Sequence, residues 1–165
     1  MTGILLLSFL LTGCGSPEPQ TGKKMSMYYI NTAETKVEVH EQYLNTKTLD
    51  EQLDETMRYL STTPEKLEYK APLDMGFHVL DYEVEDGKLL INVDKAYSEL
   101  SPTTEVLVRA AIVRTLTQLP NVKYVGITVE DSQLYDNAGE LVGWMNADQF
   151  INNDGNEINT YELVK

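Results

Sequence analysis

Apolar and polar positions along this chain change period several times, from the alternation of strands to the wider spacing of helices and back. Met25 to Ile30 (MSMYYI) is rich in strand formers, and after the turn-like Asn31-Thr32 the stretch Lys36 to Leu44 alternates through Val37, Val39 and Glu41. Two strands are expected there. Thr48 with Glu51 three residues on has the form of a capping box, and Leu49, Leu53, Met57 and Leu60 recur at helical spacing. The pattern predicts a helix from about Leu49 to Ser61. Its other side carries Asp50, Glu51, Asp54 and Glu55, read as a solvated acidic face, with Asp54 and Arg58 spaced for an ion pair.

The clearest local feature is Asp86-Gly87, which supplies the positive backbone angles of a two-residue hairpin turn between His78–Glu85 and Lys88–Asp94. That turn sets Glu85 opposite Lys88, Val84 opposite Leu89, Tyr82 opposite Ile91 and Leu80 opposite Val93. Ser101-Pro102 then places a cap ahead of a proline at the first helical position, and Val106, Leu107, Ala110, Ala111, Val113 and Leu116 continue as an apolar stripe ending at Leu119 before Pro120. Val122 to Val129 (VKYVGITV) has the near-continuous apolar, β-branched character of a central strand. Asn137-Ala138-Gly139 reads as a turn, Asn146 as the cap of a single helical turn ending near Ile151, and Asn152–Lys165 as a mobile tail.

These elements predict an α/β (α+β) two-layer domain, with one mixed sheet of about four to six strands, a central Asp-Gly hairpin and both main helices on one face. At 165 residues there is room for one such domain, expected over residues 25–151. Thirteen basic residues against 26 acidic ones give a formal charge of -13, which repels nucleic acid and anionic membrane surfaces alike. Membrane attachment then has to be covalent or hydrophobic.

The first residues offer a covalent route. Ile4 to Leu11 (ILLLSFLL) is too short to span a bilayer but has the length of a signal-peptide core, so residues 1–13 are expected to be a leader. Leu11-Thr12-Gly13-Cys14 resembles the lipobox of bacterial lipoproteins, in which the cysteine receives a diacylglyceryl group before cleavage. Cys14 is the only cysteine, and the following GSPEPQTGKK, to Lys24, has the composition of a tether. Fully extended it reaches about 35 Å, which would hold the domain close to the extracytoplasmic face of the membrane.

Catalytic chemistry is thinly provided. His40 and His78 are the only imidazoles, neither has a ligand-spaced Glu or Cys nearby, and each reads as a half-exposed strand residue. Aligning Gly155 with the obligatory glycine of a calcium loop puts Phe150 and Tyr161 at the end ligand positions, which excludes an EF-hand. There is no Gly-rich phosphate cradle and no zinc-type cysteine pairing. Neither catalytic nor metal or cofactor-binding residues are assigned. The alternative is an envelope (peptidoglycan) hydrolase using two of the many carboxylates, which requires a pocket with one acid of raised pKa.

The phrases YLSTTP, HVLDYEVEDGKLLINVDKAY and EVLVRAAIVRTLTQLPNVKYVGITVED, in that order, resemble the GerMN domain of sporulation and spore-germination proteins in Gram-positive bacteria. The resemblance covers roughly Met27 to Phe150 and is closest at the Asp-Gly hairpin and at Thr115–Pro120, the family's "TLTQ-apolar-Pro" ending. Thr63 stands before Pro64 where the family often has Gly. The resemblance implies a small non-catalytic α/β domain for binding or assembly at the cell envelope, with no catalytic residues to carry over and an unidentified protein or peptidoglycan partner. Many relatives hold two tandem copies, and INTYELVK resembles the lead-in to a second. With no basic residue before Ile4, this leads to the expectation of a chain cut at one or both ends.

Overall fold

The computed structural model describes residues 22–64 and 68–150. Strand β1 (Lys23–Asn31) runs antiparallel to β2 (Val37–Leu44), with Lys23 opposite Leu44 and Ile30 opposite Val37. It begins two residues ahead of the domain boundary expected at Met25, because Lys23 and Lys24 already pair with Leu44 and Tyr43. The turn between them is closed by Asn31, whose Oδ1 accepts from the backbone N–H groups of Thr35 and Lys36.

Helix α1 (Leu49–Leu60) starts with the capping box that its sequence predicts: Thr48 Oγ1 accepts from Glu51 N, and Glu51 Oε2 accepts from Thr48 N at 3.2 Å. Leu53, Met57 and Leu60 enter the core. The acidic face needs correcting at one position. Asp50, Glu51 and Asp54 are exposed, but Glu55 is buried, and its Oε2 accepts from Thr46 Oγ1 at 2.7 Å and from the N–H groups of Asn45 and Thr46. Those bonds satisfy the backbone that leads into the helix. The expected Asp54–Arg58 pair gives way to other contacts: Asp54 accepts from Tyr82 Oη at 2.8 Å, and Arg58 lies 3.9 Å from Glu55.

After α1, β3 (Tyr69–Lys70) pairs with the end of β1. Thr63 anchors this stretch, accepting from Ala71 N and donating to Asp74 Oδ2. Strands β4 (Val79–Glu85) and β5 (Lys88–Val93) form the hairpin, with Asp86 at φ 50° and Gly87 at φ 79° as a two-residue turn with both angles positive requires. The register is as expected from Glu85–Lys88 to Tyr82–Ile91. It then shifts at a bulge, so that Val79, not Leu80, faces Val93 and Leu80 is left 53% exposed.

A short 3-10 helix (Lys95–Glu99) leads to α2 (Pro102–Leu116), capped by Ser101 Oγ, which accepts from Thr104 N. The helix ends at Leu116, and Leu119 is buried in the turn beyond it. Strand β6 (Tyr124–Val129) starts two residues after the predicted Val122 and runs parallel to β5. Beyond it β7 (Ser132–Gln133) adds antiparallel. The Asn137–Gly139 turn is formed, with Tyr135 bridged to Leu141, and Asn146 caps the helical turn Ala147–Gln149. The tail Asn152–Lys165 and the leader lie outside the described residues.

The class is α+β, but the strands divide between two sheets where one was expected: β2-β1-β3 and β4-β5-β6-β7. The reason is visible at the free edge of β1. Before β3 begins, that edge meets the end of α2 and the turn after it and not a strand: Thr115 Oγ1 accepts from Tyr28 N at 3.0 Å, Gln118 Oε1 accepts from Ser26 N, and Gln118 Nε2 donates to Ser26 O at 2.7 Å. Helix α2 also packs against β6, so its apolar residues contribute to one core with Met27, Leu89, Ile91, Val125 and Ile127.

Two expected outcomes follow from these bonds. Thr115→Val keeps the shape of the buried side chain but orphans Tyr28 N, so urea unfolding should show a loss of about 1–3 kcal/mol. Thr117→Val, where the hydroxyl only bonds back to Val113 O in its own helix, should change little. The second concerns pH. Burial raises the pKa of Glu55, but the bonds from Thr46 and Asn45 and the nearby Arg58 outweigh it, leaving a net value below the ordinary 4.5. The charged form is therefore favoured by folding, and this stability is present above pH 4.5 and is lost as pH falls through the folded value. Wild type should exceed Glu55→Gln in unfolding free energy at neutral pH, and the gap should close on acidification.

Candidate functional site

The outer face of the second sheet carries an exposed aromatic side chain, Trp144. Alternation along β4 and β5 sends Val84, Tyr82, Leu89 and Ile91 inward and leaves Asp81, Glu83, Glu85, Lys88 and Leu90 outward. Across β6 the outward position beside Leu90 is Gly126. The chain returns along β6 at Met145, which exchanges two 2.8 Å backbone bonds with Val125. Alternation then puts Met145 into the core and its neighbour Trp144 on the outer face.

Trp144 lies over Gly126 and beside Leu90. A β-carbon at position 126 would come within 2.8 Å of the indole, so only glycine allows the ring to rest on the strand. The indole is 43% exposed, and Lys88 Nζ sits 5.4 Å from its ring centre. On either side of the ring is an open hollow of about 230 Å³. One has an apolar floor that includes Leu90, Ile127, Leu134, Leu141 and Val142, whereas the other is bounded by Glu83, Glu85 and Lys88. Glu83, Glu85, Lys88, Leu90 and Ile127 stand on strands, whereas Leu134, Leu141, Val142 and Trp144 come from the segment that follows β7. Sequence reasoning passed over Trp144 and Gly126. The available cue was a lone glycine inside an otherwise β-branched strand, which marks a close approach.

The imidazoles do not meet. His40 is half-buried on β2 opposite Met27, and His78 is exposed ahead of β4 with Nδ1 2.8 Å from Asp94 Oδ2. Cys14 lies outside the described residues. No cluster of three His, Cys, Asp or Glu side chains that could hold a metal occurs among the described residues. Among the described residues, the Glu34, Glu51, Glu55 and Asp94 carboxyls are held below their ordinary values.

One buried polar group escaped the sequence reading. Arg109, 2% exposed, donates from Nη2 to Glu105 Oε2 at 2.8 Å, and Tyr97 Oη donates to Glu105 Oε1 at 3.0 Å. Arg109 Nε is 2.6 Å from Glu105 Oε1, but its N–H is aimed past that oxygen, so charge and the Nη2 bond hold the pair. Burial, followed by the Glu105 charge, holds the Tyr97 phenol well above its ordinary value. Phe77 packs edge-on against Tyr97 at 5.0 Å, and the whole group fastens the 3-10 segment to α2. Its phenol and carboxylate are tied to each other, which makes it a structural fastening.

Fold and face together define a small α+β domain that presents a Trp-centred platform on the outside of its second sheet. The model of the family described as Germane, sporulation and spore germination, matches residues 26–135, and the chain belongs to that family. Among solved structures it is similar to the first GerMN domain of the sporulation protein GerM from Bacillus subtilis, with 14% identity, 73% of this chain and 94% of that chain covered, and a TM-score of 0.56. It is also similar to the tandem GerMN domains of the same protein, with 18% identity, 81% of this chain and 50% of that chain covered, and a TM-score of 0.52. At such identities the likeness concerns the fold. No curated protein sequence gives a significant match. Leu141 and Trp144 lie beyond the residues that the family model matches.

Gly126→Ala should push Trp144 off the strand. The expected result is a red-shifted tryptophan emission together with a loss of about 1–3 kcal/mol in unfolding free energy, as for other over-packed sites. An unchanged emission maximum would contradict the described seat of the ring.

Proposed function

We propose that this protein is a lipid-anchored extracytoplasmic lipoprotein whose Germane-family domain is a non-catalytic binding or assembly module in sporulation, germination or cell-envelope construction. The observation that carries the reading is Cys14: the sole cysteine follows Leu-Thr-Gly at the end of an eight-residue apolar run and precedes a tether-like segment. Family membership supports the cellular setting. The downward-displaced carboxylates and the separated histidines support a binding role over hydrolysis. The net charge of -13 argues against electrostatic membrane adhesion, so acyl chains on Cys14 would provide the attachment.

The test is expression of the full chain in a Gram-positive host fed labelled palmitate, with partition between detergent and aqueous phases. Wild type should carry label and enter the detergent phase. Cys14→Ser should lose both. A wild-type product that stays aqueous and unlabelled overturns the anchoring.

A further inference from the structure

The outer face of the β4–β7 sheet holds two hollows of unlike character that share one indole wall, and no other element of the described chain covers them. Side by side are an apolar floor (Leu90, Leu134, Leu141, Val142) and an acidic bay (Glu83, Glu85). Neither the Glu83 nor the Glu85 carboxylate has a hydrogen-bond or ion-pair partner among the described residues, and the Lys88 side chain reaches the Trp144 ring without an ion-pair partner. Asp81, next outward on the same strand, is engaged by Asn92. From this geometry we infer that the Trp144 face docks an extended segment of a partner protein in which an apolar side chain and an arginine or lysine stand two positions apart, on the same face of the segment. The inference deepens the binding role proposed above and rests on it.

Three features select that occupant. The first is the difference between the hollows: an extended peptide offers unlike side chains at alternate positions along one face, whereas a saccharide presents similar hydroxyl-rich edges to both. The second is charge. A chain at -13 attracts cationic groups and repels anionic polymers, and a second copy of the chain would bring the same acidic surface. The third is that the indole already seats a cation. Lys88 lies over Trp144 without a carboxylate partner within 4.0 Å, so an incoming guanidinium can replace it on the ring while pairing with Glu83 or Glu85, leaving Lys88 free to return to water. The apolar side chain two positions away fills the other hollow, and desolvation there supplies the non-polar share of the binding.

Trp144 is the only tryptophan of the chain, so its emission reports occupancy directly. The experiment titrates the full chain, purified in a sugar-free polyoxyethylene detergent, with three probes: Ac-Leu-Ser-Arg-Ser-amide, Ac-Leu-Ser-Glu-Ser-amide and chitotetraose. The Leu-Ser-Arg-Ser peptide should shift the emission and saturate in the range of roughly 0.1–1 mM expected of one small exposed contact. The response should weaken with added salt and fall by at least about threefold in Glu83→Gln/Glu85→Gln, whose exposed positions leave the fold intact by circular dichroism. An equal response to the Leu-Ser-Glu-Ser peptide, saturation by chitotetraose alone, or no saturation by any probe overturns the proposal. The titration is independent of acylation, so a failure here leaves the palmitate result standing, and an unlabelled Cys14 leaves the titration readable.

Discussion

A strand with an open edge has to find partners for its N–H and C=O groups, and in this fold β1 finds them at the end of α2 and in the turn that follows it. Thr115 and Gln118 stand in for the strand that would otherwise continue the sheet, bonding Tyr28 N and both backbone groups of Ser26. Because such side chains bond only at close range, the C-terminal end of α2 is held against β1. The same helix is the crossover between β5 and β6. One element thereby ties the first sheet to the second.

The Tyr97–Glu105–Arg109 group fixes the other end of that helix. A buried ion pair contributes little net stability once desolvation is counted, but removing one member leaves an uncompensated charge in the core. Its effect is therefore on uniqueness. Arg109 also reaches Met145 Sδ at 4.0 Å, directly beside Trp144 in the chain, so the fastening extends to the segment that carries the platform.

Much of this architecture is legible in the sequence wherever a local rule decides it. The Asp-Gly turn, the Thr48–Glu51 capping box and the Ser101-Pro102 start all form as their residue types require, because each depends on atoms only a few positions apart. What could not be read depended on distant partners. Glu55 looks like any surface acid until Asn45 and Thr46 fold back onto it. The Leu80 register fails because the bulge is set by how β4 meets the rest of the sheet, not by the turn. The division into two sheets requires knowing that Thr115 and Gln118 face β1, although the phrase containing them was the part that most resembled the GerMN family. The Trp144 platform needed the register between Val125 and Met145, which no periodicity supplies.

The bulge at Leu80 has a bearing on crowding. Strand β4 is an outer edge of its sheet, and an intact outer edge is a template on which a neighbouring chain can add. Here the extra residue interrupts the ladder near Val79, and further along Asp81, Glu83 and Glu85 would bring like charges together if a second copy aligned there. Molecules packed at high density are therefore kept from joining through the β4 edge.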